Sequence, residues 1–203
     1  MKDIQTKYIE VEIIEEIDET SDVYDITVEG NHNFFANNIL VHNCLGGIYS
    51  NRILRGEVHG HSRDQIQAEL SNLTDRFVSC VGENNFKLEL QFNKLEKQHT
   101  VNDYLIEHHK LTGIPLICTA DSHYPTADKW QARELYKKLG WLGKKDGLTL
   151  PEFEDLKCEL YPKNASQMWD EFLEAYPTYD FYKGNEELVR DAINRTHDIV
   201  WND

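Results

Sequence analysis

Along residues 7–16 the apolar side chains Ile9, Val11 and Ile13 alternate with acidic neighbours, a period of two that predicts a half-buried strand. A polar break at 18–22 separates it from a second predicted strand, 23–29. Gly30, Asn31, His32 and Asn33 then read as a turn, Phe34 and Phe35 follow, Asn37-Asn38 read as another turn, and 39–41 as a short strand. Three or four strands in so short a stretch bury too little surface to be stable without a disulfide, a metal or a partner. Residues 1–43 contain no cysteine, so this unit is expected to need something else to complete its fold.

From residue 44 the period changes. Gly46 and Gly47 loosen the approach to a short predicted helix ending near Gly56, and Ile66, Leu70, Leu73, Phe77 and Val81 fall at helical spacing over 62–81. Residues 86–92 alternate and predict a strand. A helix is predicted over 100–110, with Thr100 as N-cap and Gly113 as terminator. Residues 114–120 are almost continuously apolar, the pattern of a strand covered on both faces. Strand, helix and apolar strand make a β-α-β unit. Three more helices are predicted: 127–139 with Trp130, Leu135 and Leu139 as its apolar side, 165–176 with Met168, Trp169, Phe172 and Leu173 at core spacing, and 186–201. The expected architecture is a small all-β segment, 1–43, followed by an α/β segment, 44–203.

Composition narrows the function classes. With 203 residues, 40% of them hydrophobic, the chain is large enough for one good core and an appendage. No apolar run approaches the ~20 residues of a membrane span, and the N-terminus lacks the apolar centre of a signal peptide; a cytoplasmic, membrane-free protein is expected. Cys44, Cys80, Cys118 and Cys158 stand 36, 38 and 40 residues apart, which suits a reducing compartment better than a zinc or redox pair. The net charge of -15 includes two lysines against ten acids before Cys44, leaving -7 for the other 160 residues. Such a surface repels phosphate backbones, so direct DNA binding by this chain alone is not expected. The acidic arm either selects a basic protein partner or is a solvated face.

The densest chemistry sits at Val41-His42-Asn43-Cys44. The thiol of Cys44, once deprotonated, accepts an acyl group delivered as a thioester or ester. The side-chain amide of Asn43 reaches its own main-chain carbonyl and closes a five-membered succinimide, which cleaves the bond to Cys44. The slow points are the departing amine and the charge growing on the carbonyl, so His42 is suited to donate a proton and polarise it. His32, in a turn, is placed to fold back as a second acid/base, and Asp25, in a strand, to tune the thiol. Taken singly, each has an ordinary structural reading: a turn dipeptide, a turn histidine, a strand-edge acid.

The ordered run Val23-Tyr-Asp-Ile-Thr-Val-Glu-Gly-Asn-His32, continuing through Asn33-Phe-Phe-Ala-Asn-Asn-Ile-Leu-Val-His42-Asn43 to Cys44, resembles the two closing motifs of an intein, an autocatalytic element that excises itself and joins its flanks. The resemblance implies a HINT-type fold for 1–43, splicing without a cofactor, and a role for Asp25 in positioning the branched intermediate. An ordinary intein opens far upstream with its own nucleophile, whereas Met1 lies close by. The resemblance therefore implies a C-terminal split-intein half whose N-terminal half is carried on another polypeptide, fused to the front of the protein that splicing completes.

Past the apolar strand, Asp121 and His123 set a carboxylate beside an imidazole where α/β barrels build their chemistry. Such a pair suits zinc or manganese, although a strand-end cap with a polar histidine is its ordinary reading. Cys44-Leu-Gly-Gly, Phe86-Lys-Leu-Glu-Leu-Gln, Thr112-Gly-Ile-Pro-Leu, Thr119-Ala-Asp-Ser-His-Tyr and Asn164-Ala-Ser-Gln-Met-Trp169 resemble the later part of the PHP domain of bacterial DNA polymerase III alpha subunits. That implies a partial distorted β/α barrel in which Asp121, His123 and Cys44 match metal ligands. The family's opening ligands fall before Cys44, so the chain holds about a third of a metal site and is expected to be inert as a phosphoesterase or polymerase until joined to its front half and, after splicing, to the rest of the replicative polymerase. A stand-alone PHP phosphoesterase and a non-catalytic PHP scaffold are the alternatives. His59 and His61 read as an exposed loop, and His108 and His109 as surface residues.

Overall fold

A computed structural model describes residues 33–36, 39–42, 45–135 and 159–201. The predicted strands over 7–16 and 23–29 lie outside them. What is described of the N-terminal segment is a hairpin: β1 (Asn33–Ala36) and β2 (Ile39–His42) run antiparallel, with Phe34 opposite Val41 and Ala36 opposite Ile39. The turn predicted at Asn37-Asn38 lies outside the described residues. The strand predicted to end at Val41 continues through His42.

The second segment runs α1 (Ile48–Val58), α2 (Arg63–Val81), β3 (Leu88–Leu90), α3 (Glu96–Thr112), β4 (Leu116–Cys118), α4 (Ala165–Ala175) and α5 (Glu186–Trp201). β3 and β4 are parallel, Leu88 opposite Leu116 and Leu90 opposite Cys118, with α3 as the crossover. This is the expected β-α-β unit. Among the described residues that sheet has two strands, so what is described is a largely helical segment around a small sheet, and the described residues show no barrel. Ile53, Ile66, Leu70, Leu90, Val101, Leu116, Phe172 and Val189 form one buried core with both strands at its centre. Phe92, Phe172 and Tyr182 pack edge-on within it, their ring centroids 5.3–5.8 Å apart.

Local chemistry explains the element ends. The Ser62 hydroxyl accepts from the Gln65 N–H while the Gln65 side chain accepts from the Ser62 N–H, a reciprocal capping box that starts α2. Asn164 and Gln167 repeat it at α4. Gly113, at φ 76°, ends α3 in the left-handed conformation, and its N–H bonds to the carbonyl of His109 at 2.8 Å.

Several expectations need correction. α3 starts at Glu96, not at Thr100; the Thr100 hydroxyl instead donates back to the Glu96 carbonyl at 3.3 Å, inside the helix. The extra turn exists because Gln98, His99 and Asn102 are buried in a polar chain that anchors it. Gln98 donates to Asn102 (3.0 Å), Asn102 donates to the Gln91 carbonyl (2.6 Å) and to the Tyr182 hydroxyl (2.9 Å), and Tyr182 bonds to Nδ1 of His99 (2.8 Å). β3 and β4 are shorter than the predicted 86–92 and 114–120. Leu135 and Leu173, placed on apolar sides, are 59% and 47% exposed.

His108, expected at the surface, is fully buried. The amide nitrogen of Gln67 donates to the Tyr104 carbonyl at 3.0 Å and to Glu107 at 3.1 Å, so Gln67 Oε1 is the acceptor facing Nδ1 of His108 at 3.0 Å. The imidazole is thus protonated on Nδ1 and accepts at Nε2 from Thr74, 2.8 Å away, whose oxygen accepts in turn from Tyr49 at 2.6 Å. Every partner is satisfied with the ring neutral, and burial holds its pKa below the ordinary histidine value. His109 is half-buried and bonds to the Ile114 carbonyl at 2.7 Å.

Candidate functional site

The candidate residues fall into two places. At the first, His42 is the last residue of β2, opposite Asn33 in the antiparallel register. The hairpin therefore brings the residue after His32 beside the residue before Asn43. Asp25, His32, Asn43 and Cys44 lie outside the described residues.

The second place is the C-terminal end of the parallel pair, the end at which α/β sheets present polar side chains to solvent. Asp121 and His123 are brought together there, Oδ1 to Nε2 at 3.3 Å, each side chain about a third exposed (35% and 36%). The backbone is bent to do this. Asp121 has φ 47°, a left-handed conformation that a non-glycine residue rarely adopts. The N–H groups of His123 and Tyr124 both point at the Leu160 carbonyl, 2.8 and 3.3 Å away, and Glu159 is likewise left-handed at φ 49°. Lys163 fixes this second turn: its ammonium donates to the Glu159 carbonyl and pairs with Glu171 at 2.7 Å, with the lysine side chain only 2% exposed.

Behind Asp121 stands Glu89, which the sequence reading did not single out. It accepts a hydrogen bond from the Thr119 hydroxyl, and Thr119 also receives one from Gln91 at 3.2 Å. Burial pushes the Glu89 carboxyl up to about 7; the negative charge of Asp121 adds to this, and the Thr119 and Gln91 bonds oppose it. A polar residue inside the alternating strand 86–92, on the face opposite Leu88 and Leu90, was the available signal. Next to Gln91, the side-chain oxygen of Asn93 is buried with no hydrogen-bond partner.

Asp121 and His123 supply one oxygen and one nitrogen donor, half of a four-coordinate zinc shell. Among the described residues no group of three or more histidine, cysteine, aspartate or glutamate side chains is placed to hold a metal ion. The described residues therefore do not by themselves fit a complete zinc or manganese site. His59 and His61 are exposed, as expected of a loop, with His61 Nδ1 3.5 Å from Glu69. No helix among the described residues is long and apolar enough to cross a membrane.

Comparison with known proteins follows the same division. Residues 2–43 match the intein splicing domain. A 40-residue stretch, 20% of this chain, is 60% identical to 2% of a DNA polymerase of Thermococcus aggregans. Over 129 residues, 64% of this chain, it is 30% identical to the DNA polymerase III subunit alpha of Borreliella burgdorferi, covering 10% of that protein. Over 69 residues, 34% of the chain, it is 33% identical to the corresponding subunit of Chlamydia pneumoniae, covering 6% of it. The chain thus spans a tenth or less of the length of each of these relatives. An intein splicing domain at the N-terminus is followed by a segment homologous to DNA polymerase III alpha subunits.

Proposed function

We propose that this chain, an intein splicing domain joined to a segment homologous to DNA polymerase III alpha subunits, is the C-terminal precursor of a protein trans-splicing reaction. The supporting observation is a boundary: the splicing-domain match ends at Asn43, and the next residue is a cysteine. In this reading 1–43 is the C-terminal intein half and 44–203 is the flank it delivers, the later part of a PHP domain. The partner is a separate polypeptide carrying the opening intein half behind the upstream part of the polymerase.

The reaction then runs through this chain's own residues. The upstream acyl group, held as a thioester or ester on the partner, transfers to Sγ of Cys44 and expels the partner's nucleophile. The side-chain nitrogen of Asn43 attacks its own main-chain carbonyl. A C–N bond forms in the succinimide as the 43–44 peptide bond breaks; the proton that the Asn43 nitrogen sheds passes to His32, the second acid/base, and the freed Cys44 amine takes up one supplied by His42. His42 also polarises the attacked carbonyl, and Asp25 tunes the thiol. The acyl group then moves from Sγ to the new amine, leaving a peptide bond and the original thiol. In the ligated product, Asp121, His123 and Cys44 are proposed to join ligands from the upstream part in a divalent-metal site.

Mixing the chain with the partner polypeptide and weighing the products by mass spectrometry tests this. A ligated protein continuing at Cys44, together with a released 1–43 peptide ending in succinimide, is expected. Asn43→Ala should abolish release of that peptide; release that persists in the variant overturns the reading.

A further inference from the structure

The two edges of the β3–β4 sheet are treated differently. The Leu88 N–H bonds to the Pro115 carbonyl at 2.9 Å and the Thr119 N–H to the Leu90 carbonyl at 3.1 Å, so Leu88 and Leu90 exchange their backbone bonds with β4. In a parallel ladder the intervening residue then points its N–H and C=O to the other side, and for Glu89 that is the outer edge of β3. The outer edge of β4 is closed by side chains of α5. Thr196 accepts from the Cys118 N–H at 3.0 Å and donates to the Cys118 carbonyl at 2.7 Å, while Arg195 donates to the Leu116 carbonyl at 2.7 Å. Just past the end of β3, the Gln91 carbonyl is covered by the side chain of Asn102. No described residue pairs with the backbone of Glu89.

The order of elements says what belongs there. β3 reaches β4 through α3, and α3 packs against both α1 and α2 in one helical layer. In alternating α/β chains such a layer is fed by a strand, and sequential strands lie side by side far more often than not. Between Leu45 and Leu88 this chain has α1, α2 and a short 3-10 turn, and no strand. The strand that would feed α1 belongs before residue 45, where the splicing domain stands.

We propose that the outer edge of β3 docks an extended segment of the polymerase polypeptide that splicing joins to Cys44, and that this pairing forms before ligation. The proposal rests on the trans-splicing reading and adds to it that the flanks, and not only the intein halves, recognise each other. Strand addition of this kind draws its affinity from main-chain hydrogen bonds, here centred on Glu89.

The test uses the full chain carrying Asn43→Ala, so that nothing is ligated, and as probe the upstream polymerase polypeptide with its intein half deleted. The expected result is measurable binding together with at least tenfold slower hydrogen exchange at the Glu89 amide. Glu89→Pro removes the outward N–H and spares the main-chain bonds to β4; because it also removes the carboxyl bonded to Thr119, it is compared with Glu89→Ala, which removes that carboxyl alone, and should bind about tenfold more weakly than Glu89→Ala, the loss of roughly one hydrogen bond. If that variant does not fold, the exchange measurement on the Asn43→Ala chain decides alone. Absence of binding, or unchanged exchange at Glu89, overturns the proposal. Ligation of the wild-type chain by the complete partner without protection at Glu89 sinks the docking and spares the splicing; protection without ligation does the reverse.

Discussion

Thr196 and Cys118 exchange two hydrogen bonds across the outer edge of β4, the hydroxyl acting as acceptor for the N–H and donor to the carbonyl of the same residue. One side chain of a helix thus satisfies both main-chain groups that a neighbouring strand would otherwise take. Thr196→Val keeps the shape and removes both bonds, leaving the two groups without partners beside a fully buried Cys118. A loss of about 2–4 kcal/mol is expected in urea unfolding, with Thr196→Ser costing less than about 1 kcal/mol.

Buried neutral histidines make the fold acid-sensitive. Burial lowers His99 to about 4, opposed by its hydrogen bond to the main chain of Asn93, and lowers His108 as well. A folded-state value below the unfolded value means that the unfolded chain binds more protons. The stabilisation is complete above about pH 6.5 and is lost as pH falls below it towards 4. Unfolding free energy measured at pH 7 and pH 5 should fall, and His99→Gln should flatten that fall.

Glu89 acts with the opposite sign. Its folded value of about 7 lies above the unfolded value of 4.5, so its contribution is complete below 4.5 and lost as pH rises through 7. In chelator-treated protein, Glu89→Gln should raise stability at pH 8 by on the order of 1–3 kcal/mol relative to the parent chain and change little at pH 4. Equal effects at both pH values would show that the carboxyl is ionised throughout.

The pair formed by Lys163 and Glu171 is nearly inaccessible, with side chains 2% and 11% exposed. Lys163→Met strands the glutamate and should cost about 3–5 kcal/mol, whereas the double variant Lys163→Met/Glu171→Leu should recover most of it. A double-mutant cycle reads the coupling. Because Lys163 also holds the turn that receives the His123 N–H, the single variant should shift the His123 ring resonances in NMR.

At Gly56, α1 and α2 approach so closely that an added Cβ would lie 2.6 Å from Cγ1 of Ile66, itself 1% exposed. Gly56→Ala is expected to destabilise by about 1–3 kcal/mol in thermal or urea unfolding, through overpacking.

Periodicity made much of this fold legible. The alternation at 86–92, the apolar run at 114–120 and the helix between them led to a parallel pair, and Gly113 ended α3 as its residue type implies. What periodicity missed were side chains whose burial depends on partners distant in sequence. His108 looks like a surface residue until Thr74 and Gln67 are placed beside it. Of the candidate site, the Asp121–His123 pair was legible from its spacing and position after a strand. Glu89 was not, because its carboxyl meets Thr119 only through the pairing of two strands. The Ser62-x-x-Gln65 box is a further helix-start signal carried by the sequence itself.

The seal that α5 places on one side of the sheet also limits how copies of the chain can pair with one another. A sheet with two bare edges can add copies of itself end to end without limit, the route to filaments. With the β4 side closed by Thr196 and Arg195, pairing of copies through β3 would use up the one edge each copy offers among the described residues, so association by this route is expected to stop at two copies.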